Sequence, residues 1–355
     1  MREARRLGFD AVGITRADVP LEPEFGRYEA FLADGMHGGM AWLASSRDAR
    51  RRLDTDHILA GARSVICLAR RYGRSAEDEA RDPELARSIA RYARGRDYHN
   101  GVRKKLRQLA KIVRTLGTSD APVAARPLCD QEPVLERAWA ARSGLGFVGK
   151  NGLLIVPGVG SLLLLGEVVT TLELEPDEVI PERCGSCTRC LDVCPTKAFK
   201  APFVLDPRRC VAYLTIENRE EIPEALREGI GERLFGCDDC QTVCPFNARS
   251  RNSGDAVIDE RFEAHERWGT TTLHDLIALD ETGYAKLREG TPVARATRAG
   301  LARNAAVVLG NRGDRGDLSA LAAARDGHDS AMVREAAGWA IAKIEGAPEV
   351  KPQPR

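Results

Sequence analysis

At 355 residues the chain is long enough for two or three domains, and 53 basic against 52 acidic residues leave a net charge of only +1. That balance excludes capture of a polyanion by overall charge, so any nucleic-acid contact must come from local patches. Aromatic residues at 5% exclude a broad base-stacking platform, and no apolar run approaches a membrane span in length.

Residues 1–10 are charged and helical, with no apolar core of a secretory signal, so a cytoplasmic protein in a reducing compartment is expected. The start is abrupt, as though a longer first helix preceded it. A short strand follows at 11–15. The basic run 45–52, ending in Arg52, has two readings, a solvated helix face or an anion contact, and charge alone favours the first. Residues 61–69 read as a turn and a buried strand, with Cys67 an inert core thiol.

Residues 84–94 and 101–116 read as helices. In the second, Val102, Leu106, Leu109, Ile112, Val113 and Leu116 recur at three- and four-residue steps and define one apolar face. The other face carries Arg103, Lys104, Lys105, Arg107, Lys111 and Arg114 without an acid, which suits a polyanion. Just before it, Asp97-Tyr-His99-Asn-Gly101 is a near miss to the D-x-H-x-x-G cobalamin motif. The glycine comes one residue early, so His99 reads as a polar loop residue.

Asp130 stands where it can cap a helix whose first turn holds Glu132-Pro133 and which ends at Gly144. Gly149-Lys150-Asn151-Gly152 then makes a tight basic loop that lets backbone approach a bulky ligand; it lacks the Walker A frame. Apolar strands at 153–156 and 162–171, joined by Gly158-Val-Gly160-Ser161, resemble a hairpin.

Cys184-Gly-Ser-Cys187-Thr-Arg-Cys190-Leu-Asp-Val-Cys194-Pro195 is a C-x2-C-x2-C-x3-C-P run, and Cys237-Asp-Asp-Cys240-Gln-Thr-Val-Cys244-Pro245 repeats it without the first cysteine. Cys210 can supply the missing thiolate. Eight thiolates suffice for two [4Fe-4S] clusters, with the last cysteine of each run crossing to the other cluster. Cys184, Cys187, Cys190 and Cys244 are thereby assigned to one cluster, and Cys194, Cys210, Cys237 and Cys240 to the second. Zinc also accepts C-x2-C pairs, but the double C-P ending and the crossed count argue against it.

A helix is expected to begin near Pro223, and 249–254 reads as a polar linker. Residues 291–344 are alanine-rich and helical, with a helix pair at 318–324 and 333–344 of HEAT-like character. Arg295, Arg298 and Arg303 are spaced to share one helix side.

Asp130-x-x-Pro-Val-Leu-Glu-Arg-Ala-Trp-Ala, Gly-Phe-Val-Gly-Lys-Asn151, Arg209-Cys-Val-Ala-Tyr-Leu-Thr-Ile-Glu217 and Gly236-Cys-Asp-Asp-Cys-Gln-x-Val-Cys-Pro245 together resemble the epoxyqueuosine reductases. These enzymes complete queuosine synthesis in bacterial tRNA. Phe147 and Val148 stand where tryptophan and isoleucine are usual. The resemblance implies an α+β chain related in its core to reductive dehalogenases. A cobalamin-binding α/β-type domain is expected over 1–175, a ferredoxin-like domain with two [4Fe-4S] clusters over 176–250, an α-helical domain with a HEAT-like repeat over 251–346, and a disordered tail over 347–355. It further implies Asp130 as proton donor and Arg52, Asp130, Lys150, Asn151 and Ser161 as cobalamin contacts. The implied partners are a tRNA substrate held at its anticodon stem-loop and an external one-electron donor such as ferredoxin or flavodoxin, with the enzyme a monomer away from membranes. Lys104, Lys105, Arg107, Arg295, Arg298 and Arg303 are the candidate tRNA contacts. A pure electron-transfer ferredoxin would leave most of the chain without a task, and a small-molecule dehalogenase would not need the basic faces.

Overall fold

The computed structural model describes residues 1–252 and 260–346. The tail expected at 347–355 and the end of the linker expected at 249–254 lie outside them; residues 245–252 form a helix. The chain divides into two units of interleaved segments: Met1–Asp78, Asp97–Asp206 and Asp239–Phe262 in the first, Glu79–Arg96, Pro207–Asp238 and Glu263–Arg355 in the second. The boundaries expected at 175 and 250 are therefore not unit limits. The segment between the cysteine runs buries Val211, Leu214, Leu226 and Ile230 with the C-terminal helices, because its apolar residues complete that core.

In the first unit the strands are β1 (Ala11–Arg16), β2 (Ser64–Arg71), β3 (Ala125–Leu128), β4 (Phe147–Val148), β5 (Leu154–Ile155) and β6 (Leu163–Thr170), followed by the small β7 (Phe199–Ala201) and β8 (Val204–Leu205) pair. β1, β2, β6 and β3 form one sheet in that order, every pair antiparallel. The parallel pairing that an α/β-type domain would show is absent from this sheet, since the intervening helices return the chain to an antiparallel neighbour. β2 is buried from Ser64 to Ala69, as expected of an apolar β-branched strand covered on both faces.

The two faces are covered by helices of different design. Along a strand successive side chains alternate, and Cys67 lies opposite Glu167 while Val65 lies opposite Val169. These odd-numbered positions pack with Trp139 and Ala140 of the helix Glu136–Arg142. The even face meets the helix Tyr98–Arg114, whose Leu106 lies so close to Gly166 that a Cβ there would stand 2.7 Å from Leu106 Cδ1. Val102, Leu106, Leu109 and Val113 are buried as their spacing requires, each contributing roughly 1.5–3 kcal/mol by burial. Leu116 lies past the helix end and is exposed.

The hairpin lies one turn earlier than the sequence suggests. β4 pairs with β5 around Gly149–Gly152, while β6 joins the large sheet between β2 and β3, and the expected turn at 158–161 is closed by the isolated Val156–Gly160 bridge. Gly152 closes that tip at φ +74°, a conformation costly for other residues.

The second unit is built around the helix Arg298–Arg312, against which Ala331–Gly346, Glu224–Ile230 and Leu273–Ile277 pack, with Leu318–Gly327 laid on Ala331–Gly346, in one apolar core. The helix expected at 84–94 is two short ones, Glu84–Arg87 and Arg91–Arg94. They break because Ile89 bridges Phe235 and the Ala90 amide donates to the Phe235 carbonyl at 2.7 Å. No described helix is long and apolar enough to cross a membrane.

Candidate active site

Asp130 follows β3 in a tight turn at φ +61° and does not cap a helix; the helix Glu136–Arg142 begins later, after Leu135. The expected cap is thus corrected, because the turn over 129–135 uses its own bonds, Gln131 N to Cys129 O at 2.7 Å and Val134 N to Glu132 O at 2.8 Å. The Asp130 side chain is 53% exposed.

Its partner was not legible. His99 sits in the first turn of the helix Tyr98–Arg114, where Asp97 caps the helix by accepting from the His99 amide. The His99 ring stands between two carboxylates: Nδ1 is 2.6 Å from Asp97 Oδ1 and Nε2 is 2.7 Å from Asp130 Oδ2. The bond to Asp130, then that to Asp97, raise His99 to about 9, so at neutral pH it is an imidazolium donating at both nitrogens. Tyr98 stacks on the imidazole at 4.2 Å and its hydroxyl donates to Asp130 Oδ2 at 3.3 Å. Asp97 is correspondingly held below the usual carboxylate range, first by the bond from the His99 side chain.

The helix start links this turn to the β4–β5 tip. Glu136 accepts from the Asp130 amide at 2.8 Å, and the neighbouring Arg137 donates to the Gly152 carbonyl. Arg137 is a functional candidate that the sequence pattern contains without marking.

The same tip borders a cavity of about 170 Å³ lined by Cys184, Cys187, Cys190, Cys244, Lys150 and Asn151, among others. Phe147, Ile155 and Cys244 form an apolar floor, and Phe147 meets Phe246 edge-on at 5.4 Å. Four thiols spread around one volume fit a cubane cluster. Among the described residues no group of three or more His, Cys, Asp or Glu converges as a single metal ion would require. Burial raises Cys184 to about 11 and lifts Cys190 and Cys244, so a bound cation is what would hold them as thiolates. Cys194 and Cys240 belong to the first unit, Cys210 and Cys237 to the second. Cys194 accepts from the Ala198 amide at 3.3 Å, the kind of amide contact a cluster thiolate needs. Cys67 and Cys129 are buried away from the cavity lining, and desolvation raises both thiols.

Several expected contacts have other partners. The Lys150 ammonium donates to the carbonyls of Gly185 at 2.5 Å and Cys187 at 3.1 Å, so it braces the first cysteine run. Asn151 is buried beside the same cavity. The Ser161 hydroxyl is buried between Gln241 at 3.1 Å and Asn247 at 2.9 Å, and its amide donates to Asn247 at 2.6 Å. Ser161 is therefore a clamp on the second cysteine run, with its side chain already satisfied. Arg52 is exposed just after the helix Arg47–Arg51.

The basic candidates also divide. Lys104 and Arg107 are exposed and Lys105 half-buried on the helix Tyr98–Arg114. Arg295 precedes the helix Arg298–Arg312 and pairs with Glu217 at 2.7 Å; Arg298 pairs with Glu281 and Asp329. Arg303 is 1% exposed and donates to the carbonyls of Leu214 at 2.7 Å, Asn218 at 3.1 Å and Glu220. It is a buried tie, corrected from a surface contact, and desolvation lowers it to about 10. The three arginines do not share an exposed helix side.

Two family models match the chain: a 4Fe-4S double cluster binding domain over 183–247, which contains all seven run cysteines and Cys210, and Epoxyqueuosine reductase QueG, DUF1730 over 52–131. Two [4Fe-4S] clusters follow from the first. The epoxyqueuosine reductase of Xanthomonas campestris pv. campestris is 40% identical over 96% of this chain and 94% of its own length. That of Escherichia coli K12 is 36% identical over 95% and 86%. Among solved structures, an epoxyqueuosine reductase with a tRNA-Tyr epoxyqueuosine-modified stem loop superposes with a TM-score of 0.84 at 29% identity, covering 97% of this chain and 88% of that one. The Bacillus subtilis enzyme, captured with its catalytic aspartate loop swung out of the active site, gives 0.84 at 28% identity over the same shares. With relatives of this identity spanning nearly its whole length, the chain belongs to the epoxyqueuosine reductase family of oxidoreductases.

Proposed function

We propose that this protein reduces epoxyqueuosine to queuosine at the wobble position of tRNA, the last step of queuosine biosynthesis. The observation that carries this is family membership across 96% of the chain. Deoxygenation of the epoxide consumes two electrons and two protons, forms the carbon–carbon double bond and releases the oxygen as water. Cobalamin, when bound, supplies in its Co(I) state a nucleophile able to open an epoxide carbon.

The residues present fit such a group: Asp130 offers an exposed carboxylate, and the glycine-bearing tip brings Lys150 and Asn151 to the cavity lined by the cluster thiols. Arg52, Asp130 and Asn151 are the candidates to hold it, with Lys150 bracing the cluster behind. Asp130 Oδ2 takes the proton resting on His99 Nε2 and passes it to the epoxide oxygen; Asp97 keeps the ring oriented. Cys184, Cys187, Cys190 and Cys244 hold one cluster, and by spacing Cys194, Cys210, Cys237 and Cys240 hold the other, fed by an external donor such as ferredoxin or flavodoxin.

The tRNA stem-loop lies along the helix Tyr98–Arg114, which carries His99 at its start and Lys104, Lys105 and Arg107 one to two turns on. The finer division into a cobalamin-binding domain, a ferredoxin-like domain and a HEAT-like helical piece, in a cytoplasmic monomer, accords with this task. Single-turnover reduction of an epoxyqueuosine-bearing stem-loop by chemically reduced, cobalamin-loaded enzyme tests the reading. Loss of one oxygen atom from the nucleoside is expected, and absence of that product would overturn it.

A further inference from the structure

Asp130 reaches its place because its backbone is held there. Its φ of +61° is uncommon for a residue with a side chain. Two acids take up amides of the turn: Glu132 Oε2 accepts from Cys129 N at 3.3 Å and Glu136 Oε1 from Asp130 N at 2.8 Å. Glu132 is part of the turn and moves with it. Glu136 is the first residue of a helix fastened to the sheet by the wholly buried Trp139 and Ala140. Its bond therefore ties the turn to a rigid element, and does so at the very residue that faces His99.

We infer that Glu136 is a positioning residue for the reaction: its carboxylate latches the Asp130 amide, holding the carboxyl of Asp130 against His99 and keeping the turn from opening outward. The inference rests on the reading of Asp130 as proton donor given above. An aspartate loop with a second, swung-out position exists in the Bacillus subtilis relative, so a turn of this family can occupy two places. Burial, with the charges of Asp130 and Glu132 nearby, raises Glu136 to about 7. The latch does not depend on its charge, because either protonation state retains an accepting oxygen.

The full-length protein allows two independent readouts: hydrogen exchange of the 129–135 amides without cobalamin, and the single-turnover rate with it. Glu136→Met keeps the helix and the volume but removes the acceptor. It should speed exchange of the turn and slow turnover, each by about tenfold, with stem-loop affinity changed less than about twofold. Glu136→Gln retains an accepting oxygen and should recover most of both losses. In an Asp130→Asn background Glu136→Met should slow the residual reaction by less than about twofold, since a latch acts only through what it holds.

Unchanged exchange in Glu136→Met overturns the latch. So does a Glu136→Gln variant as slow as Glu136→Met, or equal slowing in both backgrounds. Should Glu136→Met lose its native circular dichroism, Glu136→Gln decides alone: exchange and rate within about threefold of the parent support the latch, and a tenfold loss of rate with native exchange overturns it. If Asp130→Asn itself reacts at the parent rate, the proton-donor reading falls, while the exchange measurement still judges the latch.

Discussion

His99 Nε2 lies 2.7 Å from Asp130 Oδ2, joining the first turn of one helix to a left-handed turn thirty-one residues further along the chain. Asp130 is therefore not an isolated carboxyl. It is one half of a charged pair with the His99 imidazolium, on which Tyr98 stacks and which Asp97 backs, and in the proposed relay the proton rests at neutral pH on that imidazole.

Asp130→Asn keeps the left-handed turn, which asparagine tolerates, but cannot relay the proton. Single-turnover rates should fall by about 10² to 10⁴, with both clusters, cobalamin binding and stem-loop binding retained. A parent rate would move the proton source to water or another residue.

The histidine carries its own pH signature. Its folded pKa is raised, so the pairing stabilises fully below the ordinary histidine value near 6.5 and is lost as pH rises through about 9. His99→Gln should cost about 1–2 kcal/mol at pH 6, the exposure of Asp130 screening the rest, and the difference should vanish by about pH 10. NMR titration should place His99 near 9 in the parent and clearly lower in Asp130→Asn. A parent value near 6.5 would refute the pairing.

Anaerobic protein should carry about eight iron and eight sulfide per chain, from two clusters of four. Cys187→Ser should remove about half, since its thiol lines one cavity only, and Cys67→Ala or Cys129→Ser should remove none. Two zinc ions without sulfide would end the cluster assignment.

Charge reversal at Lys104, Lys105 and Arg107 should weaken stem-loop binding by about tenfold or more and flatten its salt dependence, leaving iron content untouched. Unchanged affinity would make that helix face merely solvated.

Arg303→Met tests the opposite role. Removing a guanidinium that satisfies three carbonyls, two of them buried, should cost about 3 kcal/mol of stability, read as a lowered Tm, with stem-loop affinity of the folded fraction unchanged. A loss of affinity at native Tm would restore it to the tRNA surface.

The two clusters were legible in the chain because cluster ligation is largely local: gaps of two and three residues are themselves the geometry of a thiolate cradle. The apolar face of the Tyr98–Arg114 helix and the burial of β2 were legible for a similar reason, since a periodic backbone writes its buried side into the residue order. The His99–Asp130 pair was not, nor the burial of Arg303, the clamp at Ser161, or the membership of 207–238 in the C-terminal core. Each of these depends on which distant segment arrives alongside, and an arginine or serine reads the same on a surface as between two buried carbonyls. Only packing removes the water around such a group and supplies its partners, and packing couples residues that no spacing along the chain connects.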